Sequence, residues 1–322
     1  MILSIDFRTD IPAFYSEWIL NRFSEGYLYF RNPAYSNRLH KVILDKEHIE
    51  AIIWTSKDYQ PILERLPEIT DKFPSIFHYT ITGYSGYGTG NNANTITGYG
   101  NDIEPNVPNV LSSIDTFQKL SIKYGSDKVI WRYDPVFYYE DINYNWHIQN
   151  FDFISRELMG YCNTCVINFV SLYEKTKRHM PGIDGLDDNQ KRFLIKSFVA
   201  QLNNSPLQTI QIQMCANGLN CKDIPGVIQS SCLGENILKL VNIYPKGKPN
   251  GCGCYPCTSI GQYDTCMHKC LYCYASSNFN KCEENFNKHD PKSPLLVGYP
   301  TGNEEIIEMK PKTINSGQLT LF

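Results

Sequence analysis

Apolar residues occur along the chain in two kinds of segment that alternate. Short runs rich in β-branched and aromatic residues predict strands at Ile2–Phe7, Ile52–Thr55, Ile76–Thr82, Val129–Tyr133, Val166–Ser171 and Ile210–Met214. Between them, apolar residues recur at helical spacing at Ala13–Phe23, Pro61–Leu66, Ile114–Lys123, Asn150–Leu158, Gln190–Leu202 and Glu235–Val241. The alternation predicts an α/β fold with a parallel sheet, in the form of a partial or complete (β/α) barrel of the TIM type.

Polar side chains follow the predicted strands, at the end where (β/α) barrels carry their active sites. We therefore take Arg8, Asp10, Arg132 and Asp134 as candidate catalytic residues. Two simpler interpretations stay open. Arg132 and Asp134 could form a structural ion pair, and Asp10 before Ile-Pro could only cap the first helix.

Two further strand-end residues, Thr80 and Asn168, are candidates for binding a cofactor. The pattern changes after Asn242 to a segment rich in Gly, Pro, Lys and Cys. We therefore expect a barrel over residues 1–241, an irregular cysteine-rich cap over 242–290 that binds a metal cluster, and an extended tail over 291–322.

The composition narrows the class of protein. The chain has 322 residues, 42% of them hydrophobic, which suffices for a large core. The chain contains 12 cysteines, and its first residues lack the features of a signal peptide. We therefore expect reduced thiols and a cytoplasmic location. No apolar run approaches the roughly 20 residues that span a bilayer, so we expect no membrane role. A net charge of −3 gives no general attraction to nucleic acid, although several lysines surround the cysteines near the C-terminus.

Three of those cysteines, Cys266, Cys270 and Cys273, are spaced C-x3-C-x2-C, and Tyr272 precedes the last one. Three thiolates on one loop can hold three irons of a 4Fe-4S cluster and leave the fourth iron open. The spacing resembles that of radical S-adenosylmethionine enzymes, in which the open iron binds S-adenosylmethionine and its cleavage gives a 5′-deoxyadenosyl radical. In those enzymes the residue at the position of Tyr272 packs near the adenine. A zinc site or plain thiols are the alternatives, and Tyr272 could be a simple packing residue.

Four other cysteines could hold an auxiliary metal, either a second cluster or zinc. They are Cys215, Cys232, Cys252 and Cys254. Free buried cysteines are equally compatible with the sequence.

Several motifs together resemble the uncharacterised bacterial family called domain of unknown function 1848. They include Arg8-Thr-Asp-Ile-Pro-Ala13, Glu104-Pro-Asn-Val-Pro108, Trp131-Arg-Tyr-Asp-Pro135, Cys252-Gly-Cys254 and Thr265–Ala275. The resemblance covers nearly the whole chain. It implies a cluster like that of radical S-adenosylmethionine enzymes and names no reaction.

The chain ends Gln318-Leu-Thr-Leu-Phe322, which looks like the pentapeptide with which bacterial DNA polymerases and repair proteins bind the sliding clamp. An extended tail could place Leu321 and Phe322 in an apolar cleft while Gln318 forms hydrogen bonds; Leu319 belongs to the same motif. The alternative is that these apolar residues form a last strand or pack on the barrel.

Three hypotheses follow. The first is a radical S-adenosylmethionine enzyme that acts on a DNA base or lesion, for example in a flipped nucleotide. It takes electrons from an external donor and is recruited by the sliding clamp. The second is an adaptor without catalytic activity, in which zinc or an iron-sulfur cluster folds a surface that binds DNA or the clamp. The third and weakest is a radical enzyme for a small metabolite or peptide.

Overall fold

The computed structural model describes residues 1–5, 8–31, 37–87, 103–214, 219–230, 234–242 and 256–309. Eight parallel strands form its central sheet, in the order β10-β1-β4-β5-β6-β7-β8-β9. Their bounds are β1 Ile2–Ile5, β4 Ala51–Ser56, β5 Ser75–Thr80, β6 Val129–Val136, β7 Thr164–Phe169, β8 Gln211–Met214, β9 Val227–Gln229 and β10 Thr258–Ser259. The parallel α/β sheet is confirmed. Within the described ranges β9 and β10 are its two edges, and no pairing joins them.

Nine helices are found in the described part of the chain. They are α1 Ile11–Phe14, α2 Ser16–Glu25, α3 Pro67–Thr70, α4 Val110–Tyr124, α5 Tyr144–Glu157, α6 Glu174–His179, α7 Asp188–Asn203, α8 Glu235–Lys239 and α9 Phe279–Asn287. The longest ones begin at side-chain caps: Asn109 accepts a hydrogen bond from the backbone of α4, and Asp187 forms a capping box with Gln190 at α7.

Two helix predictions need correction. The helix expected over Ala13–Phe23 is divided, because Tyr15 leaves the helical conformation between α1 and α2. The segment Pro61–Leu66 forms consecutive turns, with Arg65 bonded to the carbonyl of Ile62, and the regular helix begins only at Pro67. Proline suits a first helical turn because its missing N–H group would have no partner there.

The two faces of the sheet differ in their neighbours. Residues such as Trp54, Phe77 and Trp131 point from one face into a large core. The other face carries a separate apolar layer near the starts of the strands, closed by Ile237 and Leu238 of α8. On β1, β4, β5, β6 and β7 the residues of that layer are Ile2, Ala51, Ile53, Ile76, Ile130 and Val166. Because side chains alternate along a strand, the same face carries Thr55, His78, Thr80, Arg132 and Asp134 further along.

A second, smaller sheet was not anticipated from the sequence. It contains β2 Tyr27–Arg31, β3 Arg38–Ile43 and β11 Glu305–Glu308, in the order β11-β3-β2. Two ion pairs link its distant segments, Arg31 with Glu304 and Arg38 with Glu305.

The segment expected to begin an extended tail packs on α2 instead. The indole of Trp18 donates a hydrogen bond to the carbonyl of Ser293, and the buried guanidinium of Arg22 donates one to Lys292. An extended tail can therefore start no earlier than residue 310. Residues 310–322 lie outside the described ranges. Among the helices that are described, none combines the length and the apolar character needed to cross a membrane.

Candidate active site at the strand ends

A cavity of about 230 Å³ opens where β1, β4, β5 and β6 end. Nine of the ten candidate residues that lie in the described part of the chain line it together. They are Arg8, Asp10, Thr80, Arg132, Asp134, Cys266, Cys270, Tyr272 and Cys273. The parallel sheet brings the first five together, because the carboxyl ends of its strands meet at one edge. The cysteine loop then covers that edge.

The cysteine loop is fixed to the body of the protein by hydrogen bonds at several points. The hydroxyl of Tyr15, between α1 and α2, donates to the carbonyl of Thr265 at 2.7 Å. The hydroxyl of Thr176 in α6 donates to the carbonyl of Tyr272 at 3.2 Å. The loop is closed on itself by Asp264, whose carboxylate accepts from the hydroxyl of Ser277. The loop with the three thiols is thus held by residues from both the start and the middle of the chain.

The three thiols share an environment but do not converge on one point. Burial raises the pKa of Cys266 and of Cys270, and the neighbouring thiols add to both shifts. Among the described residues, no three His, Cys, Asp or Glu side chains are arranged as ligands of a single metal ion. The thiolates of a 4Fe-4S cluster each bind a different iron, so they need not converge. Cys282 on α9 is buried, and the thiol of Cys273 contributes to raising its pKa, but it does not line the cavity.

Asp10, which follows β1, links the end of that strand to the cysteine loop. One carboxylate oxygen accepts from Ala13 N and from the Ser56 hydroxyl at 2.6 Å, so Asp10 does cap α1. The other oxygen accepts from Lys57 N at 2.7 Å and from Nε2 of His268 at 2.8 Å. His268 lies between Cys266 and Cys270, so this carboxylate positions the cysteine loop as well as the helix.

Glu104 forms a second link between the sheet and the loop, and the sequence did not reveal it as a site residue. It is fully buried, and one of its oxygens accepts from Lys57 Nζ at 2.7 Å, from the Thr82 hydroxyl at 2.9 Å and from the Tyr272 hydroxyl. Its other oxygen is buried without a hydrogen-bond partner in the described part of the chain. Burial lowers the pKa of Lys57, but the charge and hydrogen bond of Glu104, together with nearby Cys270 and Asp134, outweigh burial, and the pKa is raised overall. The motif Glu104-Pro-Asn-Val-Pro108 was the available signal.

Tyr272 is largely a packing residue in this structure. Its ring contacts those of Tyr84 and Phe137, and it is buried although it lines the cavity. Arg132 and Asp134 form the ion pair that the sequence left open, and their side chains are 14% and 17% exposed. The pair also lines the cavity, so a structural role and contact with a ligand are compatible here.

Arg8 differs from the other cations of the cavity. Its guanidinium donates to the carbonyl of Gly261 at 3.0 Å and lies 5.4 Å from the centre of the Tyr263 ring. In the part of the chain that is described, it forms no ion pair with a carboxylate.

Asn168 lies apart from the other candidates. It lines a different cavity, of about 400 Å³, together with Ser171 and Lys191. Its side-chain oxygen accepts from the backbone of Phe169 at 3.0 Å. It is therefore not brought together with Thr80 and Tyr272.

The remaining candidates lie outside the described residues. They are the possible auxiliary ligands Cys215, Cys232, Cys252 and Cys254, and the tail residues Gln318, Leu319, Leu321 and Phe322.

The lysines near the cysteines are partly neutralised. Lys269 pairs with Glu283, and Lys281 lies 3.6 Å from Asp264.

The fold and this site define an α/β protein with a cysteine loop over the ends of its parallel strands. The chain belongs to the family described as Domain of unknown function (DUF1848), whose model matches residues 2–92 and 89–275. No protein with a curated description matches the chain.

Proposed function

We propose that this protein is a radical S-adenosylmethionine enzyme in which Cys266, Cys270 and Cys273 hold a 4Fe-4S cluster. The observation that carries the proposal is that these three thiols open on the same cavity as polar and charged side chains from the ends of four parallel strands. A structural metal site needs no such cavity, whereas a reaction needs a place for its substrate beside the cofactor.

The donor set fits a cluster with one open iron better than it fits zinc. Structural zinc takes four ligands that converge on one ion, and the described residues contain no such group. Three thiols at one cavity match three irons of a cubane and leave the fourth for a small molecule. Cys282, whose pKa is raised by burial and by the nearby thiol of Cys273, is a further thiol that could close the site.

When bound, the cluster supplies an electron from an external donor to S-adenosylmethionine, and the sulfonium cleaves to give a carbon radical. The chain itself would orient the reactants. Asp10 and Glu104 hold the cysteine loop against the sheet through His268 and Tyr272. Arg132, Asp134 and Arg8, at the same cavity, would bind polar groups of the ligands. We place this chemistry in the cytoplasm, where thiols stay reduced.

We further propose that the eight-stranded sheet closes into a barrel. From β1 through β4 to β9 each new strand of the sheet lies beside the previous one, and β10 then returns to the far edge beside β1. The two edges are therefore consecutive strands of the sheet, as in a (β/α) barrel. The separate apolar layer closed by α8 is what the interior of such a barrel would require.

For the substrate we propose DNA, specifically a single base or lesion, with recruitment by the sliding clamp. Only the sequence of the tail, Gln318-Leu-Thr-Leu-Phe322, favours the clamp. The neutralised lysines near the cysteines add nothing to this proposal. The metal-binding adaptor and the radical enzyme for a small metabolite or peptide are the competing hypotheses.

The decisive experiment is anaerobic reconstitution with iron and sulfide, followed by dithionite and S-adenosylmethionine, with measurement of 5′-deoxyadenosine. We expect product from the wild type and none from Cys270→Ala. Cys162→Ala is the control, because Cys162 is buried beside β7 and does not line the cavity. Cys282→Ala should also keep the cluster and the product. Loss of the cluster in Cys282→Ala would identify a closed four-cysteine site and favour the adaptor, as would stoichiometric zinc in place of iron.

Clamp binding is tested separately, by the affinity of purified sliding clamp for the full chain and for Phe322→Ala. We expect Phe322→Ala to lose most of the affinity because Phe322 would fill the apolar cleft. Phe193→Ala is the control, since Phe193 is an exposed aromatic residue of α7. Equal affinities of all three proteins would exclude recruitment through the tail.

A further inference from the structure

We propose that the entrance of the cavity binds single-stranded nucleic acid, with bases stacked on three tyrosines and phosphates bound by two cations. The surface consists of Tyr173, Tyr263, Tyr274, Arg8 and Lys175, and we call it the tyrosine entrance. This proposal rests on the proposed function, because it supplies the substrate class of the same cavity.

The five residues form one continuous surface. Arg8 and Tyr274 line the cavity itself. The centre of the Tyr263 ring lies 5.4 Å from Cζ of Arg8 and 5.6 Å from Nζ of Lys175, which is on α6. Tyr173, at the start of α6, has its ring centre 6.2 Å from that of Tyr274. The loop that carries the cysteines and the helix beside it therefore present their aromatic rings together.

The exposure of these tyrosines is unusual for the site. Tyr173, Tyr263 and Tyr274 are 50%, 39% and 40% exposed, whereas Tyr84 and Tyr272 next to them are buried. A cluster of exposed aromatic rings at a cavity entrance indicates a binding surface, because it leaves apolar area in water. Every nucleobase has a flat face that can stack on such rings.

The cations at the entrance differ from those inside the cavity in a way that favours binding of a phosphate at the entrance. Inside the cavity, Lys57 is paired with Glu104, Arg132 with Asp134, and His268 with Asp10. At the entrance, Arg8 and Lys175 have no carboxylate partner among the residues that the structure describes. A guanidinium binds phosphate oxygens through two parallel hydrogen bonds, and among the described residues the hydrogen bond found for Arg8 is the one to Gly261.

One polar atom inside the cavity is available to a base that enters it. The hydroxyl oxygen of Thr9 is buried and has no hydrogen-bond partner among the described residues. Thr9 lines the cavity next to Arg8. A phosphate on Arg8 would therefore bring the attached nucleotide to an unsatisfied hydrogen-bonding group, which a base edge can satisfy. Duplex DNA would not fit this use, since its bases are not free to stack on protein rings.

The test is fluorescence anisotropy of a labelled single-stranded DNA of about twelve nucleotides with the reconstituted full chain. We expect Tyr173→Ala and Tyr263→Ala each to weaken binding about tenfold, and Tyr173→Phe to bind like the wild type, because stacking needs the ring and not the hydroxyl. Lys175→Gln should weaken binding and reduce the salt dependence by about one phosphate contact. Tyr299→Ala, another exposed tyrosine remote from the cavity lining, should change nothing.

Several outcomes would overturn the proposal. They are absence of binding by the wild type, unchanged binding by both alanine variants, equal competition by free mononucleotides, and equal competition by poly-glutamate. The last two would show a site for small nucleotides or for negative charge alone.

The same samples separate this proposal from the proposed function. Formation of 5′-deoxyadenosine without DNA binding would refute the tyrosine entrance and leave the enzyme. DNA binding that depends on Tyr173 and Tyr263, with a stable cluster but no cleavage even when the oligonucleotide is present, would support the entrance and favour the adaptor.

Discussion

Glu104 is the buried carboxylate on which the wall of the candidate active site depends. Lys57, Thr82 and Tyr272 all donate to the same oxygen atom. Removing it would leave the ammonium of Lys57 in a poorly solvated position. Burial of an unpaired charge is among the few single changes that strongly destabilise a protein.

We predict that Glu104→Ala lowers the free energy of unfolding by about 2–3 kcal/mol, less than the full cost of a buried unpaired charge, because the side chain of Lys57 is 14% exposed and can reach water. Urea unfolding at neutral pH measures it. The control is Asp115→Asn, which breaks an exposed pair with Lys119 and should cost less than about 0.5 kcal/mol. Equal stabilities of the two variants would contradict the role given to Glu104.

The position of Gly83 requires glycine for two reasons, the conformation of its backbone and the close approach of a neighbouring side chain. Its φ is +90°, and a Cβ there would lie 2.1 Å from the side-chain oxygen of Asn150. Asn150 in turn donates to the carbonyl of Thr82 and to the hydroxyl of Tyr133.

We therefore predict that Gly83→Ala costs about 3 kcal/mol or more, from a strained backbone of about 1–2 kcal/mol and displaced hydrogen bonds of about 1 kcal/mol each. Gly160→Ala isolates the backbone effect, because Gly160 has φ +83° and no atom within 4 Å of its Cβ position. Its cost should be about 1 kcal/mol in the same unfolding experiment. Similar losses in both variants would show that the contact with Asn150 does not matter.

At the scale of elements, a buried histidine connects α5 to β6. His147 accepts from the hydroxyl of Tyr133 through Nδ1 and donates to the carbonyl of Phe137 through Nε2, both at 2.8 Å. Burial lowers the pKa of His147 to about 4. The ring is therefore neutral in the folded protein above about pH 4. In the unfolded protein the exposed ring binds a proton at a higher pH.

This pKa predicts a loss of stability in acid. Between the unfolded value of about 6.5 and the folded value of about 4, the unfolded chain binds more protons, so stability falls as the pH falls through that window. The contribution is about 3 kcal/mol over the whole window. Urea midpoints at pH 7 and about pH 4.5 should differ less in His147→Gln than in the wild type. His48→Gln, which changes a partly exposed histidine, should keep the wild-type difference.

Most strands of the main sheet were predictable because each is a local run of apolar residues. The observed β4, β5, β6, β7 and β8 each overlap a predicted run over four or five residues. The second sheet was not predictable in this way. The strand β11 reads Glu-Ile-Ile-Glu and is identified only by pairing with β3, which lies more than 260 residues earlier. Such a pairing leaves no local pattern in the sequence.

At the scale of the whole molecule, the segment after the cysteine loop belongs to the folded body. Trp18 and the buried Arg22 both donate to backbone carbonyls of this segment, and Leu295 and Leu296 are buried.

A chain that ends at residue 290 should therefore lose at least about 4 kcal/mol of unfolding free energy, since two buried leucines alone contribute about 1.5–3 kcal/mol each. Urea unfolding is again the measurement. The control is a chain that ends at residue 309, which retains β11 and all of these contacts. An equal loss in both chains would place the stabilising contacts beyond residue 309.

The sequence by itself determined what depends on neighbouring residues: the alternating elements, the spacing of Cys266, Cys270 and Cys273, and the cap of α1 by Asp10. Tertiary structure decided which of these meet. It brought Arg8 and Arg132 to the cysteine loop, bonded Glu104 to Lys57 and Tyr272 of the cavity lining, and placed Asn168 in another cavity. The physical reason is that strand order and register set distances between residues far apart in the chain, and no local pattern encodes them.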